Sequence, residues 1–203
     1  MFGFNEKEMS VLRALDSPQK IQDFLNKLKI NFEPRGDSCF SPRTVLARGE
    51  CHCIEGAMLA GVALRIHGRK PLVVDMTASD DDFDHVIAVF QEDGKWGAIS
   101  KTNHAVLRYR EPIYNSIREL VMSYFHEYTK DDGKKTLRSF SNPVNLSKFD
   151  KIGWMTREGD VWEIPEHLAE VKHYKILNKK QESNLRRADK LEIKAGKLVQ
   201  WKK

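Results

Sequence analysis

The sequence predicts an α+β domain in which one buried helix packs on an antiparallel sheet, and three observations carry that reading. From Ile54 to Ile66 the chain is apolar or small on nearly every side, with Glu55 and Arg65 the only charges. A helix without a polar face is one buried all round. Next, His85-Val-Ile-Ala-Val-Phe90 and Trp96-Gly-Ala-Ile-Ser100 flank Asp93-Gly94, the strongest short-range signal of a β-hairpin. Finally, Pro71-Leu-Val-Val-Asp75 is short, apolar and β-branched, as a buried strand is. At 203 residues, 40% hydrophobic and 31% charged, the chain is long enough to bury a sizeable core of this kind.

The elements follow in order. Ser17-Pro18 supplies an N-cap and a proline at the first helical position, and Ile21, Phe24, Leu25 and Leu28 then recur at helical spacing, which predicts an amphipathic helix over 18–29. Residues 31–38, with Pro34 and Gly36, read as loop. Ser41-Pro42 repeats the cap signal and opens a short helix ending at Gly49. Polar Gly49-Glu-Cys-His52 feeds the buried helix, and Gly68, after Arg65 and His67, is its stop. Gly56 and Gly61 lie inside it at a cost of roughly 1 kcal/mol each against alanine, which points to close packing. Thr77 to Asp84 is an acidic loop. In the hairpin, a two-residue turn sets Phe90 opposite Gly97, Ile87 opposite Ser100 and His85 opposite Thr102. His85, Ser100 and Thr102 then project to one side, and Asn103 to the other unless the strand has ended. Beyond Pro112, Tyr114 to Tyr128 reads as a helix, 131–134 as a turn, 136–140 as a strand, and 141–160 as loop anchored by Trp154. Ile164 to Ala169 begins another helix, and the last thirty residues fit helix or strand equally.

No run approaches the ~18 apolar residues of a membrane span. The start, MFGFNEKEMS, lacks a signal-peptide pattern, and three cysteines do not make a disulfide framework, so a reducing cytoplasm is the expectation. Net charge is +5, unevenly spread: from Lys172 onward eleven basic residues face Glu182, Asp189 and Glu192. The domain is therefore placed at 1–170 and a basic C-terminal extension at 171–203. A solvated helical face is the simplest use of that tail, and contact with an acidic partner or nucleic acid the more specific one. Tyr174 and Trp201 give little aromatic interleaving for single-strand stacking. The chemistry is expected to lie outside the tail.

Cys53 falls at the first turn of the buried helix, where unpaired N–H groups and the positive dipole end favour a thiolate. A cysteine there, followed by a histidine opening a hairpin strand, is the arrangement of a Cys-His nucleophilic site. The imidazole of His85 removes the thiol proton, and a third group on the neighbouring strand (Ser100, Thr102 or Asn103) holds its tautomer. Cys39 with Cys51-His52-Cys53 lacks the paired spacing of structural zinc, so no metal is assigned and no cofactor is implied. Asp80 to Asp84 lacks the pattern and glycine of a calcium loop and reads as solvated; set beside His85 it would favour basic substrates.

These residues resemble the transglutaminase-like cysteine peptidase superfamily, a papain-like fold. That family's core runs as a cysteine, an alanine four residues on, then an arginine and a glycine twelve and fifteen on. Cys53, Ala57, Arg65 and Gly68 fit this spacing, and Cys51 does not. The family's histidine opens the following strand, as His85 does, and a tryptophan follows the hairpin turn, as Trp96 does. Four residues later, where the family carries its catalytic aspartate, this chain has Ser100. The resemblance spans residues 41–102, and the stretches 96–104 and 107–114 look like an uncharacterised bacterial branch of that superfamily. It implies a papain-like core and a cysteine hydrolase or acyltransferase acting on the amide bonds of a peptide or protein. Cys53 would be the nucleophile, His85 the base and acid, and Ser100 a weak orienting group that accepts the Nδ1–H bond. A hydroxyl carries no charge to stabilise imidazolium, so the alternative is a catalytically lapsed domain that binds peptide or protein in the same groove.

Overall fold

In the computed structural model, which describes residues 2–34 and 36–202, the chain builds an α+β architecture around the expected helix. Three short helices precede it: α1 (Glu6–Ala14), α2 (Pro18–Lys27) and α3 (Pro42–Arg48). The sequence reading passed over α1, although Asn5 and Glu8 form a capping box at its start. Ser17 and Ser41 cap the other two as expected, and Gly49 closes α3 at φ 69°. Helix α2 stops at Lys27 rather than 29, because Leu28 turns extended and leads into β1 (Lys29–Ile30). That strand pairs in parallel with β2 (Glu50–Cys51), which tethers the mouth of α4 (Cys53–Ile66). Every residue of α4 from Ile54 to Leu64 is buried.

The large sheet contains β3 (Leu72–Thr77), β4 (His85–Glu92), β5 (Lys95–Ile99), β6 (Arg110–Tyr114), β7 (Ser139–Ser141), β8 (Val144–Asn145) and β9 (His173–Lys175). Its order is β6-β5-β4-β3-β7-β9, with β8 also on β3, and the pairings are antiparallel. Asp93 and Gly94 both have positive φ, 48° and 74°, as a type I′ turn requires. Phe90 therefore lies opposite Gly97, the register expected, and the ladder ends at Ala88 and Ile99, one residue before Ser100. Val73, Val86, Ala88 and Phe90 pack with α4, whereas Val74, Met76, Ile87 and Val89 form a second apolar cluster with Leu120, Val121 and Tyr124. The alternation of the strands thus feeds two cores.

Three expectations need correction. The helix read over 114–128 is α5, only Ile117–Met122. Tyr114 belongs to β6, Ser116 caps the helix, and Tyr124 and Tyr128 instead send their hydroxyls to Arg108 O (2.9 Å) and Phe83 O (2.6 Å). Within 141–160 lie β8 and a 3₁₀ helix, Leu146–Ile152, whose Asp150 takes a bidentate bond from Arg65 at 2.6 Å for each arm. Trp154 is fully buried there, as expected. The segment after α6 (Glu163–Glu170) does not stand apart either: β9 extends the sheet, α7 (Lys179–Ser183) and α8 (Lys190–Gly196) follow, and Arg187 and Lys197 pair with Asp132 and Asp131 of the body. No helix among the described residues is long and apolar enough to cross a membrane.

The glycines of α4 have a packing reason. A Cβ on Gly56 would lie 2.5 Å from the Cβ of Lys101, while one on Gly61 would meet Pro71 Cβ at 3.3 Å. Lys101 cannot yield, because its buried Nζ donates to Leu25 O at 2.8 Å and to Leu28 O, carbonyls that close α2. Gly56→Ala gains about 1 kcal/mol of helix propensity and meets overpacking of about 1–3 kcal/mol or more. Urea unfolding is expected to show Gly56→Ala as net destabilised and Gly61→Ala as close to wild type.

Candidate active site

Cys53 is the first residue of α4, and its backbone N–H is one of the first-turn donors that an α-helix leaves unpaired. Cys39 and Cys51 are buried and Cys53 is partly exposed. Burial pushes the thiols of Cys39 and Cys51 up, Cys51 to about 12. Burial pushes Cys53 up too and is the largest single influence on it. The hydrogen bonds and positive charge of the His52 and His85 imidazoles overcome that influence and draw the thiol down to about 5. Of the three cysteines only Cys53 has its thiol drawn down, the direction that favours thiolate.

His85 stands at the first position of β4, and its Nε2 lies 2.8 Å from Ser100 Oγ. Ser100 Oγ also donates to Leu107 O at 2.7 Å, so toward the ring it must accept, and His85 carries its proton on Nε2. The nitrogen left for Cys53 is Nδ1. The sequence reading had these two nitrogens reversed. Ser100 is itself clamped by Gln22, whose Oε1 accepts from Ser100 N and whose Nε2 donates to Ser100 O, both at 2.9 Å. The other candidates for the third group are engaged elsewhere. Thr102 Oγ1 accepts from His104 N, and Asn103 brackets the backbone of Trp201 with bonds of 2.9 and 2.8 Å.

Sequence reasoning missed His52, the N-cap of α4. Its Nε2 meets Ser38 O at 2.9 Å and lies 3.3 Å from Glu55 Oε1. Glu55, fully buried, accepts from His52 N at 2.9 Å, Phe40 N at 2.8 Å, Ser38 Oγ at 3.2 Å and Asn31 Nδ2 at 3.3 Å. Burial acts against the His52 imidazolium, and hydrogen bonds and charge from the Cys53 thiolate and Glu55 carboxylate reverse it, raising the ring to about 11. Burial likewise raises Glu55, and the His52 ring and the two backbone donors outweigh it, so its carboxyl lies below the ordinary range. The signal available was the spacing of His52 and Glu55, N-cap to N3, the position of a capping box.

Cys53 opens into a cleft of about 340 Å³. Ile54, Val86, Pro165 and Leu168 form its apolar wall, and Asp75 and His173 the polar one. His173 Nε2 is 3.0 Å from Asp75 Oδ2 and its Nδ1 is 2.9 Å from Val171 O. Burial lifts Asp75 to about 6 against the opposing His173 bond, with the charges of Asp84 and Cys53 adding to the rise. The segment after α6 thus supplies His173 to the lining of the cleft. His85 lines a separate hollow of about 180 Å³ with Thr102, Leu107 and Tyr128, and Asp84 lines both. Among the described residues no three His, Cys, Asp or Glu side chains converge as a metal site needs. No known protein-family model matches the chain, and no curated protein matches it.

Alkylation by iodoacetamide is expected at Cys53 and not at Cys39 or Cys51. The thiolate fraction rises as pH rises through the thiol pKa, so the wild-type rate should reach half its plateau near pH 5. Loss of a nearby opposite charge shifts a pKa by about 1–3 units, so His52→Ala and His85→Ala should each move that midpoint to higher pH. Labelling rate against pH, mapped by mass spectrometry, decides this.

Glu55→Ala leaves His52 and three further donors without their buried acceptor and should cost about 3–5 kcal/mol. Because the folded carboxyl is depressed, its contribution is present above the ordinary value of 4.5 and lost as pH falls below it. Urea unfolding across this range should show a steeper acid loss in wild type than in Glu55→Ala.

Proposed function

We propose that this chain is a cysteine hydrolase or acyltransferase acting on the amide bonds of a peptide or protein, built on the transglutaminase-like, papain-like core its sequence resembles. The observation that carries the reading is the contrast among three thiols. Two are buried, and the third, the first residue of α4, opens into the cleft and is the one drawn down by the His52 and His85 imidazoles. The order of parts agrees with such a core: cysteine on the first turn of a helix, histidine at the start of a strand of the sheet that helix packs on, and the orienting group at the end of the next strand.

The Cys53 thiolate attacks a carbonyl carbon, and the charge that develops on the oxygen faces the unpaired N–H groups of the first turn of α4. Collapse gives a thioester, which water or an amine resolves. Ser100 orients His85 without charging it. The charge a third carboxylate would lend comes from the other side, where Glu55 holds His52 as an imidazolium. A catalytically lapsed, peptide-binding domain is the reading to which Ser100 by itself would point.

p-Nitrophenyl acetate tests the proposal. An acetyl adduct is expected on Cys53 with a burst of p-nitrophenol, and Cys53→Ala should abolish both. His85→Ala should slow the burst about fivefold or more near pH 5, because loss of the nearby charge raises the thiol pKa by about 1–3 units, with the difference closing as pH rises. Ser100→Ala should cost about tenfold or less, because one neutral hydrogen bond of about 1 kcal/mol is lost. Adducts on other residues, or a burst indifferent to His85, would overturn the proposal.

A further inference from the structure

Asp75 and His173 are absorbed neither by the Cys53–His85 pair nor by the Glu55 cluster, yet they form the polar wall of the cleft into which Cys53 opens. Asp75 lies on β3 opposite Val86 of β4, and His173 begins β9, which joins the sheet through β7. Val171 O can only accept, so His173 Nδ1 carries a proton, and its Nε2 lies 3.0 Å from Asp75 Oδ2. A bond between Nε2 and Oδ2 then requires a second proton, on either the ring or the carboxyl. The pair holds one transferable proton on the cleft wall. His85 by contrast lines the separate hollow beyond Asp84 and directs its Nε2–H at Ser100. Asp84 is exposed, and one of its oxygens accepts from Ala78 N at 2.7 Å. The ionisable groups bearing on Asp75 are Cys53, Asp84 and His173; from β7, Ser141 meets only its backbone N–H, and α6 presents Pro165 and Leu168.

Given the reading of Cys53 as nucleophile, we infer that Asp75 and His173 are catalytic residues, a second proton-transfer pair serving the group that leaves or attacks on the cleft side of the acyl carbon. In acylation the Cys53 Sγ bonds to the carbonyl carbon and the C–N bond breaks. Its electron pair goes to nitrogen, which takes the pair's shared proton and departs as the amine. In deacylation a water oxygen bonds to the thioester carbon and a water proton passes to the emptied pair. The C–S bond then breaks with its electrons returning to sulfur, as the thiolate that His52 and His85 hold. The sum is amide plus water to acid plus amine, with the pair restored.

The test separates the two half-reactions with p-nitrophenyl acetate, whose phenolate leaves without needing a proton. Asp75→Asn keeps a donor for His173 Nε2 but has no transferable proton, and His173→Gln removes the ring. On the alkaline side of the pair's titration, both variants should show a burst at the wild-type rate and hydrolysis of acetyl-Cys53 slowed at least tenfold. The rise of wild-type hydrolysis with pH should flatten in both. A normal burst followed by unaltered hydrolysis would overturn this inference while leaving the Cys53–His85 reading intact. Loss of the burst in both variants would assign the pair to shaping the cleft and overturn it likewise. A wild-type protein without any burst would overturn the underlying reading, and this inference with it.

Discussion

The Glu55 carboxylate sits on the first turn of a helix whose next nine residues are all buried, and it is itself inaccessible to solvent. An ionised carboxylate taken out of water costs several kcal/mol even after relaxation unless donors replace the solvent. Here they come from four directions: the backbone of His52 and Phe40, the Ser38 hydroxyl and the Asn31 amide, with the His52 ring beside them. Each donor fixes a piece of chain. Asn31 and Ser38 bracket the 31–38 loop, Phe40 leads into the cap of α3, and His52 is the residue before Cys53. The carboxylate that stabilises the mouth of α4 therefore also raises the His52 ring, which in turn draws down the Cys53 thiol.

Around this fixed mouth the sheet brings in the remaining groups from three strands. β4 supplies His85 at its first residue, β3 supplies Asp75 across from Val86, and β9 supplies His173. The last two are 98 residues apart in sequence and meet because β7 lies between their strands. The edge position of β9 makes the C-terminal segment part of the cleft wall. Its basic side chains are in part engaged with acidic groups of the body, and Asn103 clasps Trp201 behind the strand end that carries Ser100.

Those features that depend on local sequence were legible in it. The apolar run predicted a helix buried all round, Ser-Pro pairs marked two helix starts, and Asp93-Gly94 set a register that held to the residue. That register brought His85 and Ser100 to one side without any knowledge of the sheet. What escaped the sequence was set at a distance. Which nitrogen of His85 faces Ser100 depends on Leu107 O, since a hydroxyl that has already donated can only accept. The pairing of Asp75 with His173 depends on strand order. The over-long helix at 114–128 arose from apolar spacing that serves the second core, where Tyr124 is buried beside α5 although the chain has left the helix. Two omissions had a local signal of the same kind, α1 with Asn5 three residues before Glu8 and His52 three residues before Glu55.

The serine at position 100 follows from the same geometry. Its Oγ occupies a point 2.7 Å from the Leu107 carbonyl and 2.8 Å from His85 Nε2, and both contacts are satisfied because a hydroxyl donates once and accepts as well. An ionised carboxylate placed there can only accept, so it would gain the imidazole and face the Leu107 oxygen as acceptor against acceptor in a site that is 1% exposed. The usual reason for a carboxylate is to stabilise the imidazolium that forms as the thiolate does. In this chain the His52 ring, raised by Cys53 and by the Glu55 carboxylate 3.3 Å away, already favours the charged form of Cys53. A neutral hydroxyl beside His85 and a buried carboxylate beside His52 are two parts of one charge balance, and the first is tenable because of the second.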